Sequence, residues 1–202
     1  MHAESEESAM KHSTELRTWV NEAIQSLGYI KPEAASKLVK LIQDNESQHP
    51  KQISTSYRKE GEQLSGDEKK RLGIRANAMM SKQALDDLTE KGRAVPLAAH
   101  EQTILRASLA WSRSQNLESL GKAGVRMCEA IAPFADQCPG CKHLDGKILP
   151  IGDIDPLGPQ DCFREACAIA FAAKLDDDFL AKERPAPPTA LSKSSKPWWQ
   201  FW

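Results

Sequence analysis

Apolar residues recur at intervals of three and four along about the first 120 residues, which is the period of an amphipathic helix. The pattern predicts four helices, over about residues 5–27, 32–45, 65–92 and 98–120. The polar residues 46–65, which include a proline and a glycine, are interpreted as a linker with one irregular helical turn.

Several residues mark the ends of these predicted helices. Gly28 is typical of the position after a helix, and Pro32 is typical of the first position within one. Ser65 and Glu68 have the spacing of a capping box, so the third helix is expected to begin there. His100, near the start of the fourth helix, has no ligand partner nearby in sequence and is interpreted as a surface or structural residue.

The pattern changes at Gly124, because the residues that follow alternate as in a short strand. Asp145-Gly146 is typical of a two-residue hairpin turn, with Lys147–Ile151 as its second arm. The remaining predicted elements are the strand over 125–132, a loop over 152–161 and a final helix from Cys162 to about Lys182.

The predicted fold class is mainly α with a small β-hairpin (α+β). Residues 1–64 are expected to form an N-terminal helical hairpin and linker. Residues 65–182 would form a helical region that carries a Cys-rich β-hairpin module over 124–167. Residues 183–202, which are rich in proline and serine, predict a flexible tail with an aromatic terminus.

Charge and hydropathy exclude some classes of function. A formal net charge of −1 gives no overall electrostatic signature of nucleic-acid binding, although the basic residues of Lys69–Arg75 could contact phosphate. The longest apolar run, Ala166–Ala173, is eight residues and too short to span a membrane. The acidic N-terminus lacks the apolar region of a signal peptide, so a cytoplasmic location is expected.

The candidate chemistry lies in the cysteines. Cys138, Cys141, Cys162 and Cys167 follow the spacing C-x2-C-x20-C-x4-C, and Cys138-Pro-Gly-Cys141 is the usual half of a tetrahedral zinc site. A Zn²⁺ ion could therefore hold a short hairpin that has little core of its own. His143 is an alternative to Cys167 as the fourth ligand.

Two other interpretations of the cysteines stay open. Cys167 falls on an apolar helical stripe with Phe163 and Phe171, where a thiol packs as a small apolar group, so the cysteines could be reduced thiols without metal. The Cys-x-x-Cys motif could also serve a thiol oxidoreductase. That function is disfavoured because Asp145-Gly146 follows so closely that no helix is expected to lower the thiol pKa.

The segments Ile104–Val125 and Cys138–Pro150 together resemble the phage head-morphogenesis domain, the minor head protein family typified by phage Mu. Its members show a long helix, an Ala-Gly-Val sequence leading into a strand, and a Cys-x-x-Cys followed by Leu-Asp-Gly. The resemblance covers about residues 100–170. It implies a non-enzymatic assembly protein whose partners would be portal or other head components, located in the virion if phage-encoded.

This sequence departs from the family at two places. The family's loop histidine is absent, with Gly158 or Gln160 at its position, and its Cys-Arg-Cys ending is lengthened to Cys162–Cys167. If those family residues bind metal, the site in this chain is altered.

The last seven residues contain four aromatic side chains on a polar, proline-rich tether. Trp198, Trp199, Phe201 and Trp202 are residue types that anchor protein interfaces, so this segment is predicted to dock on a partner or a membrane interface. The alternative is that the segment folds back on the helical body of its own chain. The leading hypothesis is a structural assembly protein of the minor head type. The alternative is a zinc-dependent nucleic-acid-binding or regulatory module, and the third is a thiol oxidoreductase.

Overall fold

A computed structural model describes residues 2–133, 138–159, 162 and 167–175, with the backbone alone for residues 2–11. Seven α-helices lie within residues 2–122 of the described chain. The helices are α1 (His2–Leu27), α2 (Ala35–Asp44, preceded by a 3₁₀ turn over Pro32–Ala34), α3 (Pro50–Lys59), α4 (Gly66–Arg71), α5 (Lys82–Asp86), α6 (Glu90–Arg93) and α7 (Pro96–Lys122).

The first and the last of the four predicted helices are confirmed as α1 and α7. α1 ends at Gly28, whose φ of 64° is the left-handed conformation expected after a helix. The capping box is also confirmed: the Ser65 Oγ accepts a hydrogen bond from the Glu68 amide at 3.3 Å, and the Ser65 amide donates to Glu68 Oε2 at 2.7 Å.

The prediction of a linker over residues 46–65 was wrong, because α3 occupies ten of those residues. His49 caps its start, with Nδ1 accepting from the Lys51 amide at 3.2 Å. Only Ile53 and Tyr57 carry the apolar stripe, four residues apart, and both are buried. Two apolar positions were too few to give a visible period.

The single helix predicted over 65–92 was also wrong. The helix breaks at Gly73, where φ is 65°, and two short helices follow. Ser81 caps α5 and Thr89 caps α6, each accepting a backbone hydrogen bond from three residues later. These caps supply start signals that compete with the apolar period.

The larger cluster of buried residues includes side chains of α1, α2, α3 and α7. It contains residues of the predicted N-terminal segment 1–64 and residues of the segment that follows. His100 lies fully buried among them, with Nδ1 2.9 Å from the Pro96 carbonyl oxygen and Nε2 3.1 Å from that of Ala84. His100 is therefore structural and not a surface residue.

The second cluster of buried residues belongs to the C-terminal part of the described chain, which we call the cysteine module (residues 124–175). Its elements are β1 (Met127–Ile131), α8 (Pro139–Leu144), β2 (Ile148–Pro150) and β3 (Ala170–Lys174). The strands form an antiparallel sheet of order β2-β1-β3, in which Cys128 of β1 lies opposite Leu149 and Ala173. The fold class, mainly α with a small β element, is confirmed.

Two local predictions within this module were wrong. Asp145-Gly146 does not join two strands of a tight hairpin, since α8 precedes it. The turn ends α8 and places β2 beside β1: the Ala132 amide donates to Asp145 Oδ1 and the Gly146 amide donates to the Ala130 carbonyl, both at 2.8 Å. The final helix predicted from Cys162 to about Lys182 was also wrong, because Ala170–Lys174 form the strand β3.

The predicted aromatic tail, with Trp198, Trp199, Phe201 and Trp202, lies outside the described residues. Among the helices that are described, none combines the length and the apolar character needed to cross a membrane.

Candidate metal centre

Four cysteines of the module converge, and we call Cys138, Cys141, Cys162 and Cys167 the cysteine group. Cys138 directly precedes α8 and Cys141 lies in its first turn. Cys162 follows the loop after β2, with its amide bonded to the Pro159 carbonyl at 3.2 Å. Cys167 lies three residues before β3. The local elements thus bring together cysteines that are up to 29 residues apart in numbering, from Cys138 to Cys167.

The spacing of the sulfur atoms suits a metal ion. The Sγ atoms of Cys138, Cys141 and Cys162 all lie within 4.8 Å of one another. Cys141 Sγ is 3.8 Å from Cys162 Sγ and 3.6 Å from Cys167 Sγ. Four sulfurs bound at the usual zinc–sulfur distance in a tetrahedron lie about 3.8 Å apart, whereas the sulfurs of a disulfide lie about 2.05 Å apart. Cys138, Cys141 and Cys162 therefore lie close enough together to bind a metal ion, and the sulfur of Cys167 lies beside that of Cys141.

Burial separates the four thiols. Cys138, Cys141 and Cys167 are buried, and Cys162 is half-buried. Burial raises the pKa of the Cys141 thiol, and the neighbouring thiols of Cys138 and Cys167 raise it further. Without a metal, Cys141 therefore stays protonated at neutral pH, and a metal ion would displace that proton on binding.

The thiol oxidoreductase hypothesis depended on the surroundings of the Cys-x-x-Cys motif. The expectation that no helix lies next to this motif was wrong, since α8 begins at Pro139. A reactive thiol nevertheless needs a lowered pKa, and the pKa of Cys141 moves in the opposite direction. Cys141 is therefore a poor candidate for a reactive thiol, while the sulfur spacing suits a metal ion.

Arg113 of α7 holds the chain around Cys167 in place. Its guanidinium donates to the carbonyl oxygens of Pro156 and Ile169, both at 2.9 Å, and to that of Cys167. Desolvation lowers the pKa of Arg113, while attraction to Cys167 opposes this effect. Sequence reasoning missed this residue. The sequence feature that could have identified Arg113 is its position as a charged residue between Ala110 and Leu117, which lie on the buried stripe of α7.

Gly158 packs directly against Cys167. Its φ is 81°, and a Cβ at this position would lie 3.0 Å from Cys167 Sγ and 3.1 Å from Cys167 Cβ. The loop therefore uses a residue without a side chain where it approaches the cysteine group.

Other candidate residues are not part of this centre. His143 is exposed, and its Nε2 accepts a hydrogen bond from Lys147 Nζ at 2.9 Å, so the structure does not bring it to the cysteines. Cys128, the fifth cysteine, is buried in β1, where desolvation raises its pKa.

Lys69, Lys70 and Arg71 form the last turn of α4, where the helix dipole favours cations.

Comparison of the chain with protein-family models, with curated proteins and with solved structures found no match.

Proposed function

We propose that this chain is a non-enzymatic structural protein that acts through protein–protein contacts, and that a Zn²⁺ ion bound by Cys138, Cys141, Cys162 and Cys167 staples its cysteine module. The observation that carries the proposal is the set of sulfur–sulfur distances of 3.6 and 3.8 Å around Cys141. Thiolate ligands in a tetrahedral arrangement select zinc or iron–sulfur chemistry, and a closed four-cysteine set is typical of structural zinc.

The composition of the module's core supports a stapling role. Four of the eleven residues in the second buried cluster are cysteines, and two more are alanines. This leaves few large apolar side chains to stabilise a three-stranded sheet. Metal binding supplies folding free energy directly in such small units.

An assembly role is the function that best accommodates this module. The proposal draws on the resemblance of residues 104–125 and 138–150 to phage minor head proteins. It also draws on the raised pKa of Cys141, which disfavours Cys141 as a reactive thiol. The partners we propose are a portal protein or other head components, with the protein in the host cytoplasm before assembly and in the virion afterwards.

Elemental analysis tests the staple. Protein purified without chelator should contain close to one zinc per chain, and Cys141→Ser should lose it. Cys128→Ala is the matched control, because Cys128 is a buried thiol of the same module outside the cysteine group. Metal-free protein whose module keeps its amide protection would refute the staple.

The assembly role needs its own test. Portal and terminase genes beside the gene for this chain are expected, and co-expression with that portal protein should give a stable complex. A genomic neighbourhood without head genes, together with no complex, would count against the assembly role and leave the zinc staple unaffected.

A further inference from the structure

A cleft of about 290 Å³ opens on the cysteine module beside Gly158. Its apolar lining comes from Leu144, Leu149, Ile154 and Phe171, and its rim carries Asp153 and Asp155. The cleft is close to the lower size of ligand pockets, and large enough for one or two aromatic rings.

The rim of this cleft carries two carboxylates, those of Asp153 and Asp155. Asp153 and Asp155 are exposed, and neither forms a salt bridge with a described residue. Asp155 Oδ1 accepts a hydrogen bond from the Leu157 amide at 2.8 Å. Arg113 feels the charge of Asp155 but directs its donors to backbone carbonyls. An apolar cleft with an acidic rim suits a ligand that joins aromatic groups to cations.

The chain itself contains such a ligand. Residues 193–202 carry Lys193 and Lys196 immediately before four aromatic residues. The described chain ends just after β3, and Phe171 of that strand lines the cleft. Seventeen residues, 176–192, separate the described chain from this segment, and a chain of that length can span up to about 60 Å. Binding within one chain benefits from an effective concentration in the millimolar range, which favours a site on the same molecule.

We propose that the segment Lys193–Trp202 docks into this cleft on its own chain. An aromatic side chain fills the apolar floor, and Lys193 and Lys196 lie beside Asp153 and Asp155. The docked segment covers its aromatic anchors until a partner displaces it. This docking depends on neither the identity of the metal nor that of the assembly partner.

Photo-cross-linking of the full chain tests the proposal. Benzoylphenylalanine replaces Trp199, the protein is irradiated at low concentration, and cross-linked peptides are mapped by mass spectrometry. The expected products have the mass of one chain and join position 199 to the peptides that contain Leu144, Leu149 or Phe171. Cross-links to the helical residues 12–122, cross-links between two chains, or no cross-links would each overturn the proposal.

Charge variants sharpen the test. Asp153→Asn with Asp155→Asn removes both charges and keeps an oxygen that can accept from the Leu157 amide. Two exposed ion pairs account for roughly a two- to fivefold change in the docking equilibrium, so the cross-link yield at the cleft should fall by about that factor. Glu22→Gln with Asp44→Asn, which removes two exposed carboxylates far from the module, is the matched control and should leave the yield unchanged.

Discussion

The Nε atom of Arg113 donates a hydrogen bond to the carbonyl oxygen of Ile169 at 2.9 Å, and this contact joins the longest helix to the strand that follows the cysteine group. The same guanidinium also bonds the carbonyls of Pro156 and Cys167. One side chain thus fixes two segments that are connected through residues outside the described part of the chain.

The first prediction concerns Arg113→Met. This change leaves three backbone carbonyls in a half-buried setting without their donors, and each such loss costs about 1 kcal/mol or more. We expect the cysteine module to lose at least about 2 kcal/mol of stability, measured by hydrogen exchange of the amides in β3. Arg126→Lys, an exposed change in the same module, is the control. Equal exchange in the two variants would contradict a positioning role for Arg113.

The second prediction concerns Gly158→Ala. The left-handed conformation costs an alanine about 1–2 kcal/mol, and its Cβ would press against Cys167 Sγ. Zinc affinity, measured by competition with a chromogenic chelator, should therefore fall roughly tenfold. Gly152→Ala is the matched control, because a Cβ there meets nothing within 4 Å. If both variants bind zinc like the parent protein, the packing of Gly158 on Cys167 has no role in the site.

The long apolar stripes of α1, α2 and α7 could be predicted from sequence because each offers several turns of consistent period. α3 could not, since only Ile53 and Tyr57 mark its buried side. The strand β3 was hidden because Ala170, Ala172 and Ala173 are strong helix formers. Pairing with β1 overrides that preference, as tertiary contacts often do.

The cysteine group could be predicted only in part. The spacing of the cysteines indicated all four, but the predicted helical stripe also allowed Cys167 to be a buried thiol without metal. Once β3 replaces that helix, Cys167 lies before the strand with its sulfur 3.6 Å from that of Cys141. Arg113 and Gly158 act across long sequence separations, which local patterns do not reveal.

The third prediction is a pH dependence of stability that originates from His100. Burial lowers the pKa of His100 to about 4, and the charge of Arg58 contributes to the lowering. The folded state thus keeps this histidine neutral, while the unfolded chain takes up a proton below its ordinary pKa of about 6.5. Stability should fall as the pH drops from about 6.5 to 4, by about 3 kcal/mol from this residue alone.

Urea unfolding at several pH values checks this effect. His100→Gln should flatten the dependence between pH 6.5 and 4, whatever its effect on stability at pH 7. His143→Gln, which removes an exposed histidine, is the control variant. If the His100 variant keeps the pH dependence of the parent protein, carboxylates and not this imidazole cause the loss of stability at acidic pH.

The fourth prediction ranks the proposed ligands by their burial. Cys162 is half-buried, so water can take its coordination position when it is replaced, whereas Cys141 is buried and its sulfur lies close to those of both Cys162 and Cys167. Cys162→Ser should therefore bind cobalt with weakened sulfur-to-metal charge-transfer absorption, and Cys141→Ser should show almost none. Cys128→Ala should match the parent spectrum. Cobalt binding by the Cys141 variant with the parent charge-transfer absorption would show that Cys141 is not a ligand of the metal.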